Sequence, residues 1–99
     1  RATYTGLLKV FFDLLPRNAL AGKVCVPIAT GGVAGHRLAI DYGLVPLFAS
    51  LGGVTVPTGT YGTDDRFEEG EPHPELVARL ERAIAEAVAL AGAMADAHV

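Results

Sequence analysis

The sequence predicts an α/β fold in which a parallel β-sheet carries helices on both of its faces. Segments with helical periodicity alternate with short β-branched runs along the 99 residues, in the order helix, strand, helix, strand, helix. Two strands do not make a stable sheet of this kind alone. We therefore expect residues 1–99 to be one portion of a single larger domain, with its first half upstream.

The first helix is predicted over Thr5–Leu15, where apolar residues recur at helical spacing and Thr5 or Thr3 can cap the first turn. The run Val24–Ile28 predicts a strand buried on both faces of the sheet. We expect this strand to stop at Ala29-Thr30-Gly31-Gly32, where the chain must turn.

The second helix is predicted over Gly35–Leu51, and its apolar residues cover more than one stripe. One side is expected to face the sheet and the other a partner surface. Pro46 cannot donate a hydrogen bond to the carbonyl of Tyr42, four residues back. A kink or a local π-bulge is therefore expected near Tyr42.

A second strand is predicted over Val54–Tyr61, where Pro57 and Gly59 indicate an edge position or a bulge. A polar loop rich in carboxylates is expected from Gly62 to Pro74. The last helix begins near Pro74. Its predicted apolar stripe consists of Leu76, Leu80, Ile84, Val88, Ala91 and Ala95.

Composition excludes several classes of protein. The net charge is −3 with no basic tract, which argues against nucleic acid as a partner. No apolar run approaches the roughly 20 residues of a membrane span. Cys25 is the only cysteine, which is typical of a protein of the reducing cytoplasm. The hydrophobic content of 51% predicts apolar surface that a partner subunit or a missing half would cover.

Two segments are candidates for ligand binding. Thr30-Gly31-Gly32 follows a strand at the sheet edge where α/β proteins bind ligands, although it is equally consistent with a simple turn. Arg1-Ala2-Thr3-Tyr4-Thr5 precedes a helix and would reach the same edge, although a helix cap alone explains it. His36 is expected to be structural, and no metal site is predicted. Asp41 needs a partner, either Arg37 or a residue of another subunit.

The motifs, taken in order, resemble those of a known enzyme family. Residues 1–9 and 12–16, the block Pro27–Gly32, and the positions from His36 to Pro46 resemble the NADPH-dependent FMN reductases. These are flavodoxin-like enzymes that serve two-component alkanesulfonate monooxygenases. The resemblance covers about residues 1–65, and related quinone and azo-dye reductases share parts of it.

The resemblance implies a five-stranded parallel sheet of which this chain holds the last two strands and three helices, the C-terminal part of a doubly wound domain. It implies FMN as cofactor, with its phosphate on an upstream loop absent here, and hydride transfer from NAD(P)H to flavin N5. No protein acid or base is implied as catalytic. Residues framing the isoalloxazine ring would be Arg1, Ala2, Thr3 and Tyr4 on one loop and Thr30, Gly31 and Gly32 on another.

The resemblance also implies partners. In sulfonate-linked members a tyrosine at the position of Tyr42 lies in a π-helical turn at a tetramer interface, so a homo-oligomer (dimer or tetramer) is expected through the Gly35–Leu51 helix. A flavin-dependent monooxygenase is the expected recipient of reduced flavin. Gly35 and Arg37 depart from the family pattern at this helix. Two alternatives stay open: a quinone or azo reductase of the same fold, and a non-catalytic fragment that acts as an oligomerisation module.

Overall fold

The structure, a computed structural model, describes residues 2–97. Its helices are α1 (Gly6–Asp13), α2 (Val45–Ser50) and α3 (Pro74–Ala97), with a π-helical segment at Ala39–Leu44 and 3₁₀ turns at Ala34–Arg37 and Asp64–Arg66. Its strands are β1 (Val24–Cys25), β2 (Ile28–Gly31), β3 (Val54–Thr55), β4 (Thr60–Thr63), β5 (Phe67–Glu68) and β6 (Glu71–Pro72).

The predicted parallel pairing is confirmed. Strand β1 pairs with β3 and β2 pairs with β4, both in parallel. Each predicted strand is broken in two, because Val26 and Pro27 separate β1 from β2 while the longer stretch Val56–Gly59 separates β3 from β4. The unequal lengths make a bulge on the second strand, as Pro57 and Gly59 predicted.

Helix α3 satisfies the polar groups of this bulge. The backbone N–H of Thr58 donates to Glu86 Oε1 at 2.9 Å, and the Thr58 hydroxyl donates to Glu86 Oε2 at 2.8 Å. Arg79 Nε donates to the carbonyl oxygen of Gly59 at 2.7 Å. Since Thr58 is buried, its unpaired amide would be costly there, and these contacts fix α3 against the sheet.

The first strand differs from expectation in two ways. It is not buried on both faces, because the side chain of Ile28 is 52% exposed. Strand β2 also continues through Gly31, so Thr30 and Gly31 lie within the strand and the chain turns only from Gly32 onward.

The second predicted helix contains three helical geometries in succession. The π-helical segment Ala39–Leu44 surrounds Tyr42, which confirms the expectation drawn from Pro46. Pro46 stands in the first turn of α2, directly after the π-helical segment, so its missing N–H falls where the helical hydrogen-bond pattern changes. The helix ends in a Schellman motif in which Gly53 N–H donates to Phe48 and Gly52, at φ +87°, donates to Ala49.

The loop predicted between Gly62 and Pro74 contains a β-hairpin instead. Strands β5 and β6 pair antiparallel around the two-residue turn Glu69-Gly70, whose φ angles are +50° and +82°. Two positive φ values in a two-residue turn are typical of type I′ hairpins. Asn or Asp usually occupies the first turn position, so glutamate there concealed the hairpin in the sequence.

The predicted stripe of α3 is correct only near its beginning. Leu76 and Leu80 are partly buried and Ala83 is fully buried, whereas Ile84 and Val88 are 50% and 69% exposed. The packed face therefore passes through Ala83 rather than Ile84. Although α3 is long, no helix among residues 2–97 is both long and apolar enough to cross a membrane.

Candidate functional site

A cavity of about 350 Å³ lies where the segment before α1 meets strand β2. Its walls come from the segment before and into α1, from β2, from the 3₁₀ turn after β2, from the π-helical segment, and from β4. The lining residues are Ala2, Thr3, Tyr4, Thr5, Leu8, Ile28, Ala29, Thr30, His36, Ala39, Leu44 and Tyr61. The volume is at the lower end of the range for small-molecule sites, about 300–1,000 Å³.

The structure brings most of the predicted site residues together. Ala2, Thr3 and Tyr4 face the same cavity as Thr30. This agrees with the prediction that the segment before the first helix reaches the same edge of the sheet as the end of the first strand. Gly31 and Gly32 lie next to this cavity in sequence but do not line it. Arg1 lies outside the described residues.

Gly31 has a structural explanation that the sequence did not show. A Cβ atom at this position would collide with the phenol group of Tyr61. The Tyr61 hydroxyl donates to the carbonyl oxygen of Val33 at 2.8 Å, which ties β4 to the turn after β2. The absence of a side chain at Gly31 thus accommodates Tyr61, whereas a Cβ at Gly32 would make only an ordinary 3.6 Å contact with Asp64.

The loop Ala2–Tyr4 has a strained residue at one end and a helix cap at the other. Ala2 adopts a left-handed conformation with φ +59°, which costs a non-glycine residue about 1–2 kcal/mol. At the other end, Thr5 caps α1 by accepting a hydrogen bond from the N–H of Leu8 at 3.1 Å, which confirms the predicted cap. A strained residue beside a cavity is a common feature of ligand sites.

The π-helical segment supports this loop from behind. A Cβ atom on Gly43 would collide with the Thr3 hydroxyl oxygen and would lie 3.3 Å from the ring of Tyr4. Gly43 is buried in the π-helical segment. The irregular helix and the cavity wall are therefore in direct contact through the one position that has no side chain.

Two lining residues with polar side chains were missed as site candidates. His36, for which a structural role was expected, is exposed and faces the cavity, and Tyr61, taken as an apolar strand marker, also faces it. The rule that ligands bind at the carboxyl ends of parallel strands could have found both, since His36 follows β2 and Tyr61 lies opposite Ala29 in the ladder.

Other candidates contribute little chemistry. Burial raises the pKa of the Cys25 thiol, so this cysteine is a poor nucleophile at neutral pH. Asp41 is exposed, and no ion pair joins it to Arg37 in the described part of the chain. Among residues 2–97 no group of three or more acidic, histidine or cysteine side chains has the geometry to hold a metal.

Comparison with known proteins assigns the chain to a family. A model described as NADPH-dependent FMN reductase matches residues 1–68. The chain belongs to this family. Over 81 residues it is 38% identical to the FMN reductase (NADPH) of Escherichia coli K12, an alignment that covers 82% of this chain and 42% of that protein. Over 93 residues it is 41% identical to the NADH-dependent FMN reductase SfnF of Pseudomonas fluorescens Pf0-1. This alignment covers 93% of this chain and 50% of that protein.

Solved structures of the FMN reductase fold agree with this family assignment. An oxidoreductase from Corynebacterium diphtheriae superposes with a TM-score of 0.80 at 40% identity, covering 97% of this chain and 50% of that one. The apo form of an NADH:FMN oxidoreductase superposes with a TM-score of 0.76 at 42% identity, and the match covers 86% of this chain and 45% of that one. The predicted flavodoxin-like α/β class is therefore confirmed. The chain spans about half the length of the relatives it matches.

Proposed function

We propose that the complete protein catalyses the NAD(P)H-dependent reduction of FMN and that this chain contributes the pocket for the isoalloxazine ring. The observation that carries the proposal is the shared cavity, in which the Ala2–Tyr4 loop faces Thr30 at the edge of the parallel sheet. Family membership supports the same chemistry, since the relatives are named FMN reductases with NADPH or NADH.

The residues of the cavity suit a flat aromatic ring. Leu8, Ile28 and Leu44 supply apolar surface, while Thr30 supplies a hydroxyl group. Such a mixture buries a ring and orients it through a few polar contacts. FMN, when bound, supplies the hydride-accepting ring, and the protein's part is to position that ring and shield it from water. We assign Ala2, Thr3, Tyr4 and Thr30 to this task and keep Arg1, Gly31 and Gly32 as neighbouring candidates.

The decisive measurement is NAD(P)H oxidation by the complete protein with and without added FMN. We expect oxidation that depends on flavin, and its absence would refute the proposal.

Thr30→Val removes a hydroxyl group from the cavity and keeps the shape of the side chain. We expect it to weaken FMN binding about 5- to 10-fold, which corresponds to the loss of one hydrogen bond. Thr55→Val, a matched change in β3 outside the cavity lining, should leave FMN binding unchanged.

We further propose that the reduced flavin passes to a two-component, flavin-dependent monooxygenase in the cytoplasm. The resemblance of the chain's motifs to sulfonate-linked reductases supports this role, and the single thiol Cys25 agrees with a reducing compartment. A coupled assay with such a monooxygenase would test it. Faster electron transfer to a quinone or an azo compound than to free FMN would instead favour the alternative acceptor.

We also propose that the complete protein is a homo-oligomer, dimer or tetramer, paired through residues 35–51. Tyr42 is 78% exposed and Leu38 is 50% exposed, one turn apart on the outer side of the π-helical region. Burying two such side chains in an interface is favourable. Light scattering should show a smaller particle for Tyr42→Asp and the wild-type mass for Tyr42→Phe; an unchanged mass for Tyr42→Asp would contradict this assembly.

A further inference from the structure

A second cavity, of about 260 Å³, shares the lining residue Tyr61 with the first and is rich in arginine. Its lining consists of Ala34, Arg37, Tyr61, Thr63, Arg66 and Arg79. Three of the chain's eight lysine and arginine residues therefore meet at one cavity, in a chain whose net charge is −3. We call these six residues the arginine pocket.

The position of the arginine pocket follows from the sheet. Because β2 and β4 run parallel and in register, both end at the same edge, at Gly31 and Thr63. Arg37 lies in the 3₁₀ turn after β2, and Arg66 lies in the 3₁₀ turn after β4. This is the edge at which α/β proteins bind ligands. Tyr61 lines both cavities, so the arginine pocket adjoins the proposed ring site.

The guanidinium groups are only partly neutralised. Arg66 pairs with Glu75 at 3.0 Å, a pair in which both side chains are largely exposed. Arg79 uses Nε for the carbonyl of Gly59, which leaves its two terminal amino groups without a hydrogen bond to the described residues. Arg37 forms no ion pair within residues 2–97.

The acidic groups nearby lie outside the lining of the arginine pocket. Asp65 accepts a hydrogen bond from Thr63. Asp41 lines a neighbouring cavity together with Arg37 and Arg79, but not the arginine pocket itself. The lining thus holds three cations and no carboxylate, which is the chemistry of a phosphate site.

We propose that the arginine pocket binds a phosphate group of the pyridine nucleotide that delivers the hydride. The proposal rests on the proposed function, because it places that nucleotide in a cavity that shares Tyr61 with the proposed ring site. Both the 2′-phosphate that distinguishes NADPH from NADH and the pyrophosphate common to the two suit this chemistry. Arg37 follows β2 and Arg66 follows β4. The pocket therefore has two guanidinium groups at this edge of the sheet, each of which can donate two parallel hydrogen bonds to the oxygens of a phosphate group.

The first test is calorimetric titration of the complete protein with adenosine 2′,5′-bisphosphate, ADP and inorganic phosphate. The double variant Arg37→Gln/Arg66→Gln should weaken binding of at least one of the two nucleotides about 10-fold or more, from the loss of charge-assisted hydrogen bonds. Arg17→Gln, which removes one charge at an exposed position away from the pocket, should change nothing. Unchanged melting temperatures would show that the variants are folded.

The second test separates the two phosphate sources by the KM values for NADPH and NADH at saturating FMN. A rise confined to NADPH assigns the arginine pocket to the 2′-phosphate, and an equal rise for both assigns it to the pyrophosphate. The proposal is overturned if nucleotide binding is unchanged in the double variant, if only FMN affinity falls, or if inorganic phosphate binds as tightly as the nucleotides. Failure of the proposed function would show separately, as wild-type protein without flavin-dependent oxidation, since the titrations need no turnover.

Discussion

At the residue scale, Gly43 links the irregular helix to the proposed ring site. It is the point at which the π-helical segment touches Thr3 and Tyr4, and any side chain there would overlap the Thr3 hydroxyl. We predict that Gly43→Ala displaces the Ala2–Tyr4 loop at an overpacking cost of about 1–3 kcal/mol. FMN affinity, measured by quenching of flavin fluorescence in the complete protein, should fall about 10-fold or more.

The matched control for this change is Gly92→Ala. Gly92 lies within α3 with no atom near the position of an added Cβ. Alanine is the better helix former, so this variant should be more stable by about 0.5–1 kcal/mol with unaltered FMN affinity. Equal FMN affinities in Gly43→Ala and Gly92→Ala would show that the π-helical segment does not set the loop.

At the scale of elements, the attachment of α3 to the bulge depends on ionised Glu86. Hydrogen bonds from Thr58, chiefly from its hydroxyl, hold the pKa of Glu86 below its ordinary value of 4.5. The folded state therefore binds fewer protons than the unfolded state near this pH, and stability rises with pH there. The contribution is complete above about pH 4.5 and is lost as the pH falls through the lowered pKa.

Urea unfolding from pH 7 to pH 3 tests this linkage. Glu86→Gln keeps the shape of the side chain but cannot ionise, so its free energy of unfolding should fall less steeply below pH 4.5 than that of the wild type. Glu81→Gln, on an exposed turn of the same helix, should follow the wild-type profile. Parallel profiles for wild type and Glu86→Gln would show that the Thr58 contacts do not depend on charge.

Local chemistry determined which elements the sequence could predict. Pro46 lacks an amide hydrogen, a purely local property, and the π-helical segment followed from it. The parallel-strand rule likewise placed the Ala2–Tyr4 loop beside Thr30. The packed face of α3 could not be read in the same way, because its second half has apolar residues on two sides. The packing of α3 against the rest of the fold decides which of these two sides is buried, and the buried side contains Ala83.

The site itself was predicted only in part, since its remaining residues depend on tertiary contacts. Gly31 and Tyr61 illustrate this, because neither residue alone reveals that one accommodates the other. The arginine pocket is similar, since Arg37, Arg66 and Arg79 are far apart in sequence and meet only through the common edge of β2 and β4. Spacing along the chain carries no signal for such a cluster.

At the scale of the whole molecule, α1 presents an apolar face with no described neighbour over it. None of its residues is buried; Leu7 is 82% exposed and Val10 and Phe11 are more than half exposed, and Leu14, just after its end, is 80% exposed. Contiguous apolar surface of this kind usually marks an interaction site. The chain spans about half the length of its relatives, so we predict that further residues of the complete domain pack against this face.

Truncation of α1 residues in the complete protein distinguishes a covered face from a solvated one. If the face is covered, Leu7→Ala removes buried side-chain volume and should lower the free energy of unfolding by about 2–5 kcal/mol. If the face is open to water, the change should stay within about 0.5 kcal/mol. Lys9→Ala breaks only the exposed pair with Asp13, worth at most about 1 kcal/mol. A small effect for Leu7→Ala, equal to that of Lys9→Ala in urea unfolding, would mean that α1 stays uncovered within the complete protein.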